Sequence, residues 1–287
     1  MDLIQSLKQY QAKYVVYPTE IEDMSLIQSL KAQAFECFSS IDSRSTIYMA
    51  TGIAAQNGKL VVCIVNSSNA SRSVFSGMTE AYYRKLPIVL ITIGTELDYS
   101  TELGDVTCSH YVVSETDDLT EILNNEFPIH IELQKNSFEL CKTECADLQQ
   151  TLSKILDEEA YLLTGSDIER IEAEYKCKTI NSGMTNCREG ALANVLGASL
   201  AKIRKRYIGL VSEKEFIHDI NTLGNINTND RLLFIVVMDR FNKVIEDYAC
   251  SLGFETQIVK RGNENNEVLK EAVNSTKKSV VLYIREK

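Results

Sequence analysis

The cysteine and histidine side chains of this sequence could bind a metal or form disulfides if their spacing allows it. Cys141 and Cys145 have the i, i+4 spacing that on a helix could place two zinc ligands on one face. No second ligand pair follows them, and His110, His130 and His218 stand apart from one another in the sequence. We therefore predict neither a structural zinc site nor a disulfide framework.

The other cysteines with an interpretable position lie within or beside apolar segments. There a thiol behaves as a small hydrophobic side chain in a reducing compartment. These residues are Cys37, Cys63 and Cys250.

Charge and hydropathy exclude several classes of protein. The chain has 287 residues, of which 44% are hydrophobic, and this is enough for two domains with buried cores. A net charge of -10 disfavours nucleic acid and anionic membranes as partners. No apolar run approaches the roughly 20 residues that cross a bilayer, and the N-terminal residues lack a secretion pattern. We expect a cytoplasmic protein. One basic cluster is expected to close a helix: Lys202, Arg204, Lys205 and Arg206.

Strand and helix patterns alternate along the chain, which predicts an α/β fold with mostly parallel sheets covered by helices on both faces. Strands are predicted at residues 14–17, 35–39, 60–65, 88–93, 111–113, 129–133, 160–163, 207–211, 232–238 and 280–284. Helices of the second half are predicted at residues 148–156, 189–202 and 243–252. The short polar stretch between the halves predicts two domains, residues 1–137 and 148–287, joined by a linker at residues 138–147.

Residues 52–93 resemble the pyrimidine-binding (PYR) domain of thiamine-diphosphate enzymes related to acetolactate synthase and the 2-oxo-acid decarboxylases. The stretch reads GIAAQNGKLVVCIVNSSNASRSVFSGMTEAYYRKLPIVLITI. Three segments of the second half resemble the diphosphate-binding (PP) domain: INSGMTNCREGALANVLGA at 180–198, YIGLVSEKEFIHDINTL at 207–223 and LLFIVVMDRFN at 232–242. The resemblance implies two such domains without the middle domain of acetolactate synthase, as in phosphonopyruvate and sulfopyruvate decarboxylases.

The resemblance also assigns positions to the cofactor site. The family's GDG motif, which supplies a magnesium ligand, falls on Ser212, Glu213 and Lys214, and its Asn-Asn pair falls on Asp239 and Arg240. An ammonium and a guanidinium offer no lone pair to Mg²⁺, which prefers oxygen ligands. Ser182 and Gly183 match the segment that opens the PP domain, and whether the nearby Cys187 is reactive stays open.

The family's activating glutamate falls on Ser43, with Asp42 beside it. In these enzymes that glutamate hydrogen-bonds the aminopyrimidine ring and promotes proton transfer from the thiazolium carbon. An unperturbed serine hydroxyl cannot exchange a proton near neutral pH. Asp42 could replace the glutamate only with a shift of register, because adjacent residues point in different directions. We therefore name no catalytic residue.

Three hypotheses follow from these substitutions. In the first, the chain is a degenerate, thiamine-diphosphate-independent or non-catalytic member that acts as an assembly, regulatory or binding subunit, with no cofactor and no metal. In the second, it is an active thiamine-diphosphate-dependent decarboxylase or carboligase of a small 2-oxo acid, with Glu213 and Asp239 holding Mg²⁺. In the third, Lys214 and Arg240 bind another phosphate-containing ligand without a metal.

The oligomeric state is also implied by the resemblance. In the family each cofactor lies between the PYR domain of one chain and the PP domain of another. A homodimer or homotetramer is therefore expected, and a heteromer with an intact relative is an alternative.

Overall fold

The computed structural model describes residues 2–19, 21, 24–66, 70–94, 103–134, 142–181, 188–261 and 266–285. The chain divides into two compact units, Met1–Leu140 and Cys141–Lys287. Each unit is built around its own parallel sheet. The two sheets confirm the predicted α/β class.

The first unit contains a six-stranded sheet in the order β2-β1-β3-β4-β6-β5. Its strands are β1 (Tyr14–Pro18), β2 (Glu36–Ser40), β3 (Val61–Asn66), β4 (Ile88–Gly94), β5 (Ser109–Val113) and β6 (Ile129–Gln134). Its described helices are α1 (Leu3–Gln9), α2 (Met24–Ala32), α3 (Ser43–Asn57), α4 (Ala70–Ser73), α5 (Phe75–Tyr83) and α6 (Thr120–Leu123), with a 3₁₀ turn at Gly104–Val106. All of these strand pairs are parallel.

Both faces of this sheet are covered, which explains why its central strands are continuous apolar runs. In β3, Val62 and Ile64 pack in the core on the side of α1, α2 and α6. Val61, Cys63 and Val65 of the same strand pack in the core on the side of α3 and α5. The side chains alternate between faces because successive residues of a strand point in opposite directions.

The second unit contains a six-stranded sheet in the order β11-β12-β10-β9-β7-β8, again all parallel. Its strands are β7 (Ala160–Thr164), β8 (Lys178–Asn181), β9 (Arg206–Ser212), β10 (Leu232–Met238), β11 (Glu255–Lys260) and β12 (Ser279–Ile284). Its described helices are α7 (Ala146–Ile155), α8 (Ala191–Leu200), α9 (Glu213–His218), α10 (Lys243–Ser251) and α11 (Asn266–Asn274), with a 3₁₀ segment at Ile220–Gly224. Helices α8, α9 and α10 cover one face, and α7 and α11 cover the other.

The basic residues Lys202, Arg204, Lys205 and Arg206 do not all lie at the end of a helix, as the sequence suggests. Helix α8 ends at Leu200, and its last turn contains no basic residue. Arg206 is the first residue of β9 and is buried. The prediction that the whole cluster closes a helix is therefore wrong for Arg206, which is a core residue.

Among the described residues, no helix is both long enough and apolar enough to cross a lipid bilayer.

Candidate functional site

Asp42 and Ser43 lie in the first unit, where the chain passes from β2 into α3. Asp42 is the N-cap residue of α3, and its carboxylate accepts a hydrogen bond from the Ser45 N–H at 2.5 Å. Such a cap satisfies one of the free N–H groups of the first helical turn. Ser43 is the first helical residue and is fully buried. The Asp42 carboxylate is thus bound to the helix start.

The Ser212, Glu213 and Lys214 positions lie in the second unit, where β9 ends and α9 begins. Ser212 is the N-cap of α9 and forms a capping box with Glu215. The Ser212 Oγ accepts from the Glu215 N–H at 3.1 Å, and the Glu215 Oε2 accepts from the Ser212 N–H at 3.0 Å. Where the family has its glycine-flanked aspartate, this chain has a helix start that its own side chains satisfy.

Glu215 is the centre of a buried polar cluster, named here the carboxylate cluster, that joins the ends of β7 and β9. Its members are Ser166, Asp167, Arg188, Ser212 and Glu215. The Glu215 Oε1 accepts from the Ser166 hydroxyl at 3.0 Å and from the Asp167 N–H at 3.2 Å. Asp167 accepts from the Arg188 Nε at 2.8 Å and 2.7 Å and from the Ser212 hydroxyl at 3.2 Å. Both carboxylates are therefore held by hydrogen bonds within the protein.

The environment of Glu215 changes its ionisation. Burial is the largest effect and raises the pKa of the Glu215 carboxyl, and the negative charge of Asp167 raises it further. The hydrogen bonds from the N–H groups of Ser212 and Asp167 act in the opposite direction. The net pKa is above the ordinary glutamate value.

This raised pKa predicts a pH-dependent contribution to stability. Below pH 4.5, the carboxyl is protonated in the folded and unfolded chains and the stabilising contribution is complete. As the pH rises from about 4.5 through the raised folded pKa, the unfolded chain loses its proton first, so the free energy of unfolding falls. We expect the free energy of unfolding of the parent protein, minus that of the Glu215→Gln variant, to decrease as the pH rises over that window. Urea denaturation from pH 4.5 to 8 measures it, and a difference that grows with pH would contradict the expectation.

The carboxylate of Asp219 accepts hydrogen bonds from N–H groups at the start of α8. The Gly190 N–H donates to the Asp219 Oδ1 at 2.9 Å, and the Leu192 N–H donates to the Asp219 Oδ2 at 3.0 Å. The first turn of a helix is otherwise a natural site for phosphate, because its N–H groups are free and the helix dipole is positive there. In this chain the buried Asp219 side chain accepts from two of those donors.

Asp239 and Arg240 follow β10 and are both exposed. Asp239 forms an ion pair with Arg285 at 2.5 Å between the Oδ1 and Nη2 atoms. Glu213 accepts a hydrogen bond at 2.9 Å from the Asn242 amide. Lys214 is exposed, and neither it nor Arg240 has an ion pair within the part of the chain that the structure describes.

Some predicted positions fall outside the described residues, namely Ser182, Gly183, Cys187 and Cys141. Cys145 is described and buried, and burial raises the pKa of its thiol to about 11. In the described ranges, side chains that converge as three or more potential metal ligands are His110, His130 and Glu132. Glu213 and Asp239 do not belong to such a group.

Sequence reasoning missed the side chains that form hydrogen bonds and ion pairs at the ends of β7 and β9 and at the start of α8. These residues are Asp167, Arg188, Glu215 and Asp219. A local pattern was available for one of them. Ser-x-x-Glu at residues 212–215 is the pattern of a capping box, and it predicts a helix start in place of a phosphate-binding loop. No local pattern indicates that Asp219 reaches the start of α8.

Comparison with known proteins shows which proteins the first unit is similar to. Residues 2–122 match the family model described as the thiamine pyrophosphate enzyme, N-terminal TPP binding domain. Over 92 residues the chain is 30% identical to acetolactate synthase 3, chloroplastic, from Brassica napus, and 29% identical to acetolactate synthase, chloroplastic, from Arabidopsis thaliana. Each match covers 28% of this chain and 14% of the relative, so the chain matches a small part of the length of these relatives. The first unit is therefore similar to the N-terminal domain of thiamine-diphosphate enzymes.

A solved structure of a thiamine diphosphate-dependent 4-hydroxybenzoylformate decarboxylase from Rhodococcus jostii RHA1 superposes on 99% of this chain and 98% of its own. The TM-score is 0.40 and the sequence identity is 8%. A likeness at this level carries no conclusion about activity.

Proposed function

We propose that this chain is a degenerate member of the thiamine-diphosphate enzyme superfamily that does not use thiamine diphosphate with Mg²⁺ and acts as an assembly, regulatory or binding subunit. The observation that carries the proposal is the Asp219 carboxylate on the N–H groups of Gly190 and Leu192. A diphosphate approaching the start of α8 would meet the negative charge of Asp219, which already accepts from two of the N–H groups there. The residues present therefore do not fit a magnesium diphosphate group.

Two further observations support the proposal. The position of the family's activating glutamate is a buried serine, and its neighbour Asp42 caps α3. The carboxylates nearest to the family's metal-ligand positions already have partners, because Glu213 binds Asn242 and Asp239 binds Arg285. A catalytic role would need all of these contacts to be rearranged together.

Calorimetric titration with thiamine diphosphate, with and without Mg²⁺, tests the proposal. We expect no binding at micromolar concentrations in either condition, on protein whose folded state has been checked by circular dichroism. An acetolactate synthase titrated in parallel is the positive control. Mg²⁺-dependent binding with a micromolar dissociation constant would overturn the proposal. Activity as a 2-oxo-acid decarboxylase or carboligase would then be the function to test.

A second candidate function is metal-free binding of another phosphate-containing ligand through Lys214 and Arg240. The observation in its favour is that Glu213, Glu215 and Asp239, the acids closest in sequence to these cations, are bound by other groups. Titration with inorganic pyrophosphate in the absence of metal tests it. We expect the Lys214→Ala and Arg240→Ala variants to lose any binding that is seen.

The oligomeric state and the location of the protein stay predictions. The homodimer or homotetramer, the heteromer with an intact relative and the cytoplasmic location all rest on the sequence. Light scattering at micromolar protein concentration measures the first of these.

A further inference from the structure

Three side chains of the first unit that can bind metals lie together near one edge of the sheet. They belong to β5, which is the edge strand, and to its neighbour β6. In the parallel register His110 lies beside His130, and Glu132 is two residues further along β6. Because residues two apart in a strand share a face, His130 and Glu132 point to the same side. Ile129, Ile131 and Leu133 point to the opposite side, into the core under α1, α2 and α6.

Each of the three side chains has a buried atom without a hydrogen-bond partner: His110 Nε2, His130 Nδ1 and Glu132 Oε1. His130 is fully buried and Glu132 is 5% exposed. The His110 Nε2 and Glu132 Oε1 atoms are 3.1 Å apart, an ion-pair distance when the imidazole is protonated, but their geometry is not that of a hydrogen bond. An unpartnered buried polar group costs about 1–3 kcal/mol. Three such atoms at one place form a set of donors that a single ion could share.

We propose that His110, His130 and Glu132 bind a divalent transition-metal ion such as Zn²⁺. Two imidazole nitrogens and one carboxylate oxygen form a donor set that suits zinc, whereas Mg²⁺ and Ca²⁺ prefer oxygen ligands alone. This site lies in the first unit, on strands that contain none of the positions that the superfamily uses for its magnesium diphosphate.

The surroundings of His130 fit the role of a metal ligand. Its Nε2 lies 3.0 Å from the Thr92 Oγ1 on β4. With the Nε2–H donating to this hydroxyl, the lone pair of Nδ1 is left available to bind a metal. A metal-binding histidine usually has its second nitrogen fixed by such a bond. Thr92 is itself buried, so it holds the ring in one orientation.

The distances require a small adjustment. The potential ligand atoms lie within 4.8 Å of one another, whereas ligands of a tetrahedral zinc ion at about 2.0–2.1 Å are about 3.3 Å apart. The widest separation must therefore close by about 1.5 Å on binding. The His110 side chain is 25% exposed on an edge strand, which gives the ion a path from solvent. Three protein ligands leave a fourth position open to water.

Metal titration of chelator-treated, dialysed protein tests the proposal, with His110→Ala and Glu132→Gln as the variants. His110 is partly exposed, and the Glu132→Gln change preserves the shape of the side chain, so either variant should fold. We expect one equivalent of Zn²⁺ to bind with micromolar or tighter affinity and to raise the melting temperature. Each variant should weaken the affinity at least about tenfold. The matched control is His218→Ala in the second unit, which should bind as the parent protein does.

Cobalt distinguishes this site from the eight cysteines, which could also bind zinc. Co²⁺ at a site of two histidines and a glutamate should give visible d–d absorption without the near-ultraviolet thiolate charge-transfer band. Mg²⁺ should not compete. The proposal fails if either folded variant binds Zn²⁺ as tightly as the parent protein, if no Zn²⁺ binds, or if the cobalt spectrum shows thiolate ligation.

Discussion

Replacing Arg206 by alanine should lower the free energy of unfolding by about 3–5 kcal/mol, because a buried side chain that donates to several buried acceptors is removed. The guanidinium is 4% exposed and donates four hydrogen bonds. Its Nη1 donates to the carbonyls of Asp230 and Lys277 at 2.8 Å and 2.9 Å. Its Nη2 donates to the Ala272 carbonyl at 2.7 Å and to the Ser279 hydroxyl at 2.9 Å. Without these donors, each acceptor would lose a hydrogen bond, and the Ala272 and Lys277 carbonyls would keep only those from the Ser275 N–H and the Ser279 hydroxyl.

Arg206 also connects segments that are distant in sequence, since its acceptors belong to the end of α11, the start of β12 and the turn before β10. Burial lowers the pKa of its guanidinium to about 10, so the group stays charged at neutral pH. Urea denaturation measures the loss. The matched control is the neighbouring Lys205→Ala, whose side chain is 81% exposed and pairs with Glu159 at 3.7 Å. This control should change stability by no more than about 0.5 kcal/mol, and equal losses in the two variants would contradict the expectation.

The sheets are the part of the fold that the sequence predicts well. Strand β10 has the predicted bounds, and the predicted central strands differ from the observed ones by at most one residue at either end. These strands are buried on both faces, so they are continuous apolar runs with a clear pattern. Strand β8 was not predicted, because it is an edge strand of four exposed residues and has no such pattern.

The polar contacts of the second unit were not predictable in the same way. Arg206 belongs to a run of basic residues that resembles a solvated helix end, yet its side chain is buried and bonds to α11 and the start of β12. Asp219 reaches Gly190 because α8 and the segment after α9 lie on the same face of the sheet. Such contacts depend on the order of strands in space, which local spacing does not contain.

The two histidines of the first unit illustrate the same limit. His110 and His130 belong to different strands, and the helix α6 separates them in sequence. The sequence analysis treated them as unrelated for that reason. They become neighbours because β5 pairs with β6 in parallel, with His110 opposite His130. Only the register of that pairing reveals the cluster with Glu132.

Replacing Gly165 by alanine should destabilise the second unit by about 2–4 kcal/mol, through overpacking and the loss of buried hydrogen bonds. A Cβ atom at this position would lie 2.2 Å from the Glu215 Oε2 and 2.5 Å from the Oε1. The Glu215 carboxylate cannot move away without losing its bonds to Ser166, Asp167 and Ser212. The matched control is Gly197→Ala in α8, where an added Cβ meets no atom within 4 Å. This control should gain about 0.5–1 kcal/mol, because glycine weakens a helix interior.

A double-mutant cycle separates this steric conflict from a general sensitivity of the strand end. If the added methyl group acts through the Glu215 carboxylate, shortening that side chain removes the conflict. The Gly165→Ala change should then cost much less in a Glu215→Ala background than in the parent protein, with an interaction energy of about 1–3 kcal/mol. Additive losses would mean that the carboxylate does not limit the space at Gly165. In that case the tight fit between β7 and the start of α9 would not be the reason for a glycine at this position.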